Sequence, residues 1–407
     1  MTEISTGQGL RGATALAASS SPGVRTPRMT APERRTQLTL LAAHRFHEVG
    51  FHRISLASLA TEVGLTAPAV YRHFRNKDAL LAAAIASGLD RVEDALQRTT
   101  GSPLDDLIVA IAEAGLERPD LWVLLQRESR FLGPELRNEV QDQFARVIDG
   151  IIRRLHQERP SLSDTNARLL VTAATAALSS PSLTSSHAPK AEYRQELSAA
   201  ALACLRFDIE NVTCTSPTAS PTLNTEPPSR RTEIIDSATD LFFRNGYDGV
   251  SLDDIGSSIG IAGPSILHHF KTKNEILEAA LDRATNVLSS EHERRRATNP
   301  PPNLDEIVAD YVNYCLRNRS LLGVYVSDAI HLPPDALTRT RSLVREDISN
   351  WSIALESETH CLSGRLARIR VRAAMSAIHD LVRLGHHFER PCIAAEAGAI
   401  SLAIMAR

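Results

Sequence analysis

At 407 residues the chain has room for several domains with real cores, at about 150 residues each, which excludes a small disulfide-stapled module. Its 45 Lys and Arg against 48 Asp and Glu leave a net charge of −3, which excludes coating of nucleic acid by bulk charge and leaves that task to local clusters. Aromatic residues make up only 4%, while Ala, Leu, Arg and Glu are abundant. Those residues lose little rotamer freedom in a helix, so the composition predicts an all-α protein.

The cysteines Cys204, Cys214, Cys315, Cys361 and Cys392 are odd in number, scattered and free of C-x-x-C spacing, so neither a disulfide framework nor a zinc site is expected. The longest nearly apolar stretch, Ala79 to Leu89, is too short to span a bilayer, and the N-terminus lacks a charged-then-apolar signal pattern. The expectation is a cytoplasmic protein with no membrane contact, metal or cofactor.

Residues 1–32 are rich in Ser, Thr, Gly, Ala and Pro without hydrophobic period and predict a disordered, weakly basic tail. From Arg34 to Val49, apolar residues at Leu38, Leu41, Ala42, Phe46 and Val49 mark an amphipathic helix, which Gly50 ends. Ser55 is placed to cap a short helix over 56–63, and Gly64 supplies a tight turn. Thr66 is placed to cap a third helix over 67–74, with Pro68 in its first turn, and a fourth starts at Lys77. A lysine at a helix start opposes the macrodipole, and a bound phosphate would relieve that conflict.

Residues 82–210 read as a helical body broken at Gly133-Pro134, and 211–229, with four prolines and eight Ser or Thr, as a linker. The pattern then repeats. At an offset of 196, residues 34–81 align with 230–277 without a gap and are identical at 14 of 48 positions. Further on, the offset is 200: Ala167, Arg168, Val171, Ala173, Ala174 and Ala177 match Ala367, Arg368, Val371, Ala373, Ala374 and Ala377. The chain therefore holds two units, the second with a head at 230–277 and a body at 278–407. An insertion is expected around Asn299 to Asn303.

The run from Ser55 to Leu81, above all Tyr71-Arg72-His73-Phe74 followed by Asn76-Lys77, resembles the DNA-binding domain of the TetR family of transcriptional regulators. The resemblance implies that Ser55 contacts phosphate and that Thr66 to Arg72, including Ala67, Pro68 and Ala69, form a recognition helix in the major groove of double-stranded DNA. It also implies that Tyr71 and His73 touch backbone or thymine methyls and that Lys77 anchors phosphate. Arg72 is the residue there best able to read a guanine edge, whereas Tyr71 could equally cover the domain core. The second head offers Ser251, Gly263, Ser265, His268, His269, Lys271 and Lys273 at corresponding or adjacent places. Its Ala262 replaces Thr66, Leu267 replaces Tyr71 and His268 replaces Arg72.

Charge separates the heads. Residues 33–81 carry seven basic and four acidic groups, and residues 229–277 five and seven, so the second head should grip phosphate more weakly. Two readings follow: both heads act as an internal pseudo-dimer on an imperfect palindrome, or the second unit serves only as dimerisation and ligand-sensing scaffold. A further homodimer stays open.

The resemblance also implies repression relieved by a small-molecule effector bound in the bodies. Trp122, Arg127, Arg130 and Phe131 are the candidate lining residues of the first body, and Tyr325, His331 and Trp351 of the second. The stretch Arg118 to Arg130 is similar to regulatory domains that respond to acyl-CoA esters. No nucleophile, metalloprotease, phosphate-loop or dinucleotide motif is present, and the adjacent pairs His268-His269 and His386-His387 cannot both face one metal from a helix. The chain is therefore not expected to be an enzyme.

Overall fold

The computed structural model describes residues 29–183, 189–214, 229–298, 302–359 and 362–406; the tail to residue 28, most of the linker and Cys361 lie outside them. Among the described residues there are helices and no strand. The first unit runs α1 (Ala31–Val49), α2 (Leu56–Glu62), α3 (Ala67–Tyr71), α4 (Lys77–Arg98), α5 (Leu104–Glu117), α6 (Asp120–Val123), α7 (Pro134–Glu158), α8 (Asp164–Ser179) and α9 (Lys190–Arg206). The second runs α10 (Arg230–Asn245), α11 (Leu252–Ser258), α12 (Gly263–Ile266), α13 (Lys273–Ala297), α14 (Leu304–Arg317), α15 (Arg319–Asp328), α16 (Pro334–Glu358), α17 (Gly364–Arg383), α18 (Gly385–Phe388) and α19 (Ile393–Met405).

The first helix begins inside the expected tail. Thr30 accepts from the Glu33 N–H while the Glu33 side chain returns to the Thr30 N–H, a capping box that satisfies two otherwise orphaned donors. The head–body borders expected at 81 and 277 fall inside α4 and α13, so one rigid helix carries each head into its body. The helix α13 ends three residues beyond the counterpart of the α4 end, so the helix absorbs part of the insertion expected around 299–303, a stretch partly outside the described residues. The bodies keep the offset of 200 in space: Glu158 accepts from the Leu104 N–H at 2.9 Å and Glu358 from the Leu304 N–H at 3.0 Å.

Two helices from each unit, α8 and α9 with α17 and α19, pack as one four-helix bundle. The repeated alanines 167, 173, 174 and 177 and their counterparts 367, 373, 374 and 377 are fully buried there, and such small side chains let the helices approach closely. The flanks are polar. Arg370 pairs with Glu196 at 2.7 Å, Arg365 with Glu192 at 3.0 Å, and Arg390 reaches both Glu396 and Asn166.

At one end of this bundle a disulfide joins Cys214 to Cys392, Cα atoms 5.0 Å apart, which corrects the expectation of no disulfide. The partners are 178 residues apart, so spacing along the chain could not reveal them; the bundle sets the end of the first unit beside the start of α19. Cys204 and Cys315 are free and buried.

Candidate nucleic-acid interface and second-unit cleft

In the first head, Gly64 takes a φ of +67° between α2 and α3, the left-handed turn that a glycine adopts without steric cost. Ser55 caps α2 and exchanges hydrogen bonds with Ser58 in a capping box. Thr66 sits at the cap of α3 with extended backbone, but its side chain makes no capping bond, so the expected cap bond is absent. On and after α3, Thr66, Pro68, Tyr71 and Arg72 are exposed, Ala67, Ala69 and His73 are half-buried, and Val70 and Phe74 enter the core. Tyr71, at 56% exposure, does not cover that core. The Arg35 guanidinium donates to the His73 carbonyl and lies over the Phe74 ring, so it braces this turn.

Lys77 is engaged differently from the expectation. Its ammonium donates to the Phe51 and Ile54 carbonyls at 2.8 and 2.9 Å and sits 4.1 Å from the Phe51 ring centre. Two carbonyls and an aromatic face relieve the macrodipole conflict that a phosphate was invoked to relieve. Lys273 repeats the arrangement with Tyr247 and Val250, both at 2.7 Å, over the Tyr247 ring. Burial pulls both ammonium groups below the usual lysine range.

In the second head, Ser251 and Asp254 form the capping box, and Leu267, His268, His269 and Lys271 are exposed. Ser265 is half-buried. Gly263, expected at the surface, is buried: a Cβ there would lie 1.8 Å from Asp253 Oδ1. Asp253 replaces Ala57 and Gly263 replaces Ala67, so a larger side chain on α11 is matched by a lost one on α12.

Both heads are tied to the bodies by buried carboxylates at matching positions. Glu128 accepts from the Phe51 N–H at 3.2 Å and pairs with Arg127, whose guanidinium donates to the Phe46 and His47 carbonyls at 2.7 and 2.8 Å. Arg127, expected in a ligand pocket, lines a small pocket with Trp122 at the seam and also caps the C-terminus of α1, where a cation offsets the helix dipole. Asp328, fully buried beside the Tyr247 backbone, pairs with Arg130 of the first unit. Burial pushes the Asp328 carboxyl up against the pull of Arg130. Phe131 stacks on Phe51 and meets His52 edge-on, and His331 stacks on Tyr247, so each packs against its own head. His52 and His331 approach Asp248 at 3.8 and 3.5 Å, which brings the loops of the two heads together.

The sequence profile described as "Bacterial regulatory proteins, tetR family" matches residues 40–84 and again 234–280. Two TetR-family DNA-binding domains thus stand in tandem in this chain. It is 41% identical over 54 residues to the biofilm operon icaADBC HTH-type negative transcriptional regulator IcaR of Staphylococcus epidermidis, a match covering 13% of this chain and 29% of that protein. The Staphylococcus aureus IcaR is 45% identical over 49 residues, 12% of this chain and 26% of the relative. The chain thus spans less than a third of these relatives. A TetR-family regulator from Bordetella parapertussis aligns with 20% identity and TM-score 0.41 over 44% of this chain and 95% of its own. The regulator PfmR from Thermus thermophilus aligns with 23% identity and TM-score 0.37 over 44% and 97%.

The two TetR units differ most inside their bodies. In the first, Trp122 is buried and packs edge-on against Phe144, ring centres 6.1 Å apart, filling the space between α4 and α7 side chains. Their counterparts are Leu322 and Val344, and these smaller residues line a cleft in the second unit. Tyr311, Tyr314 and Tyr325 project into it, as do Asp347, Arg372 and His379. Trp351 is fully buried behind the wall, edge-on to Tyr311 at 5.2 Å. Tyr311 hydroxyl and His379 Nε2 are 2.8 Å apart, and burial pulls that imidazole down to about 4. Among the described residues, no group of three or more His, Cys, Asp or Glu is arranged to hold a metal, and no helix is long and apolar enough to cross a membrane.

Proposed function

We propose that this chain is a sequence-specific DNA-binding transcriptional regulator, a repressor whose two heads act as an intrachain pseudo-dimer and whose grip on DNA is released by a small molecule in the second-unit cleft. The observation that carries the reading is the pair of helix-turn-helix heads mounted on one shared four-helix bundle, each with the outer face of its third helix open to solvent. Thr66, Pro68, Tyr71 and Arg72 form the reading surface of the first head, with Ser55 toward the backbone. Ser251, His268, His269 and Lys271 form a weaker one on the second. Because the two surfaces differ, the operator is an imperfect palindrome with unequal half-sites. Lys77 and Lys273 serve mainly by locking the loops that aim these surfaces. The regulator works in the cytoplasm, without catalysis.

Fluorescence-anisotropy titration of the full chain against the DNA upstream of its own gene tests this at two salt concentrations. Saturable, salt-dependent binding that weakens on Arg72→Ala and again, by less, on His268→Ala is expected of a two-headed reader. Loss from Arg72→Ala alone would assign the second unit a scaffold and sensor role, and absence of specific binding would overturn the reading.

A further inference from the structure

The second-unit cleft is apolar along most of its wall but ends in a polar patch at the seam between the units. Ser180, which follows α8 of the first unit, is almost fully buried there, and Arg372 enters from α17 of the second. The buried Tyr193 hydroxyl on α9 faces both Arg372 and Ser180, whose pull opposes the upward push of burial on it; among the described residues Ser180 Oγ, Arg372 Nε and that hydroxyl make no hydrogen bond of good geometry. Arg372 makes no ion pair among the described residues, although a guanidinium stays charged at any pH at which the protein folds. The cleft's other charged group, Asp347, lies by Tyr314 and Cys315 and is already engaged in an interaction of its own. The seam patch is therefore cationic and donor-rich, a guanidinium beside two hydroxyls with no carboxylate partner among the described residues.

Resting on the effector reading above, we infer that the cleft takes a monocarboxylate with an aromatic or aliphatic body. Its carboxylate meets Arg372 and Ser180 at the seam, and its body lies among Tyr311, Tyr314, Tyr325 and Leu322. A guanidinium with a hydroxyl beside it suits a carboxylate, which accepts charge-assisted hydrogen bonds. The first unit differs at this place: Thr172 stands at the position of Arg372, hydrogen-bonded to His387 at 2.9 Å, and Trp122 and Phe144 replace Leu322 and Val344. Because the carboxylate would touch residues of both units at the edge of the shared bundle, its binding is sensed by the element that sets the spacing of the heads.

The test is calorimetric titration of the full chain, without DNA, with a matched series: 4-phenylbutyrate, 4-phenylbutanamide and 4-phenylbutylamine. The carboxylate should bind at least about 10-fold more tightly than the amide or the amine, a difference of about 1.4 kcal/mol. Arg372→Gln should erase that preference while leaving amide binding unchanged. Ser180→Ala, a substitution small enough to fold, should weaken the carboxylate several-fold and not the amide. The paired change Leu322→Trp and Val344→Phe, which installs the first unit's residues, should abolish binding of all three. Equal or tighter binding of the amine or amide, carboxylate binding untouched by either polar variant, or no binding of the carboxylate overturns the ligand class. None of these results bears on operator binding, which the anisotropy experiment judges separately.

Discussion

The two units of this chain have diverged in opposite directions. The first keeps a basic head with Arg72 and Tyr71 exposed and a body packed tight, where Ile111, Ala114, Leu125, Val147, Ile151 and Ser179 stand. At the matching positions the second carries Tyr311, Tyr314, Tyr325, Asp347, Trp351 and His379, below a head with more acid than base. A duplicated unit under one constraint would drift evenly. Here net positive charge lies on one head and buried polarity in the other body, which fits the proposed division of labour between reading DNA and sensing a ligand.

The sharpest way to break this comparison is at the buried carboxylates. Glu128→Ala leaves Arg127 without its partner and the Phe51 N–H without its acceptor, and Asp328→Ala strands Arg130. Losing one member of a buried pair costs about 3 to 5 kcal/mol. Denaturant unfolding should show both losses. Only Asp328→Ala should loosen both heads, because its partner belongs to the other unit.

Acid should act on the second unit first. Burial pulls His331 and His379 down to about 4 and His387 to about 3. Their folded values lie below the unfolded one, so the unfolded chain binds more protons and stability falls as pH drops from about 6.5 toward 4. For His379 the span corresponds to up to about 3 kcal/mol at about 1.4 kcal/mol per unit. His379→Gln should flatten this limb of a melting-temperature profile; an unchanged profile would mean that the ring is not held neutral.

On DNA, Arg72→Ala should cost about 1 to 3 kcal/mol of specific affinity if the arginine reads a base edge, and His268→Ala less. Equal losses would erase the contrast between the heads. The smallest effects concern the caps. Ser55→Ala should destabilise the first head by about 1 kcal/mol, whereas Thr66→Ala, which removes no capping bond, should leave thermal stability nearly unchanged. If Thr66→Ala also weakens DNA binding, its hydroxyl is a contact.

Local physics made the heads legible from the sequence. Helix periods, Gly64 and Gly260 at the turns, and Ser55 and Ser251 at the caps depend on neighbours a few residues away, and the internal repeat exposed them twice. The contacts of Arg127, Phe131 and His331 with the heads were not legible, because a charged or aromatic side chain on a helix carries no record of what it meets. Glu128 and Asp328, two acidic residues at the offset of 200 that relates the bodies, were a usable signal of the ties to the heads.

By itself the sequence determined an all-α chain of two duplicated units, two heads of unequal charge and the positions of their third helices, since these follow from composition, periodicity and spacing. Only the tertiary structure decided the rest. It set Cys214 beside Cys392, turned Lys77 inward onto two carbonyls, paired Arg130 with Asp328 and opened a cleft where Leu322 and Val344 replace Trp122 and Phe144. Each depends on which surfaces of distant helices meet, and that is settled by packing across the shared bundle.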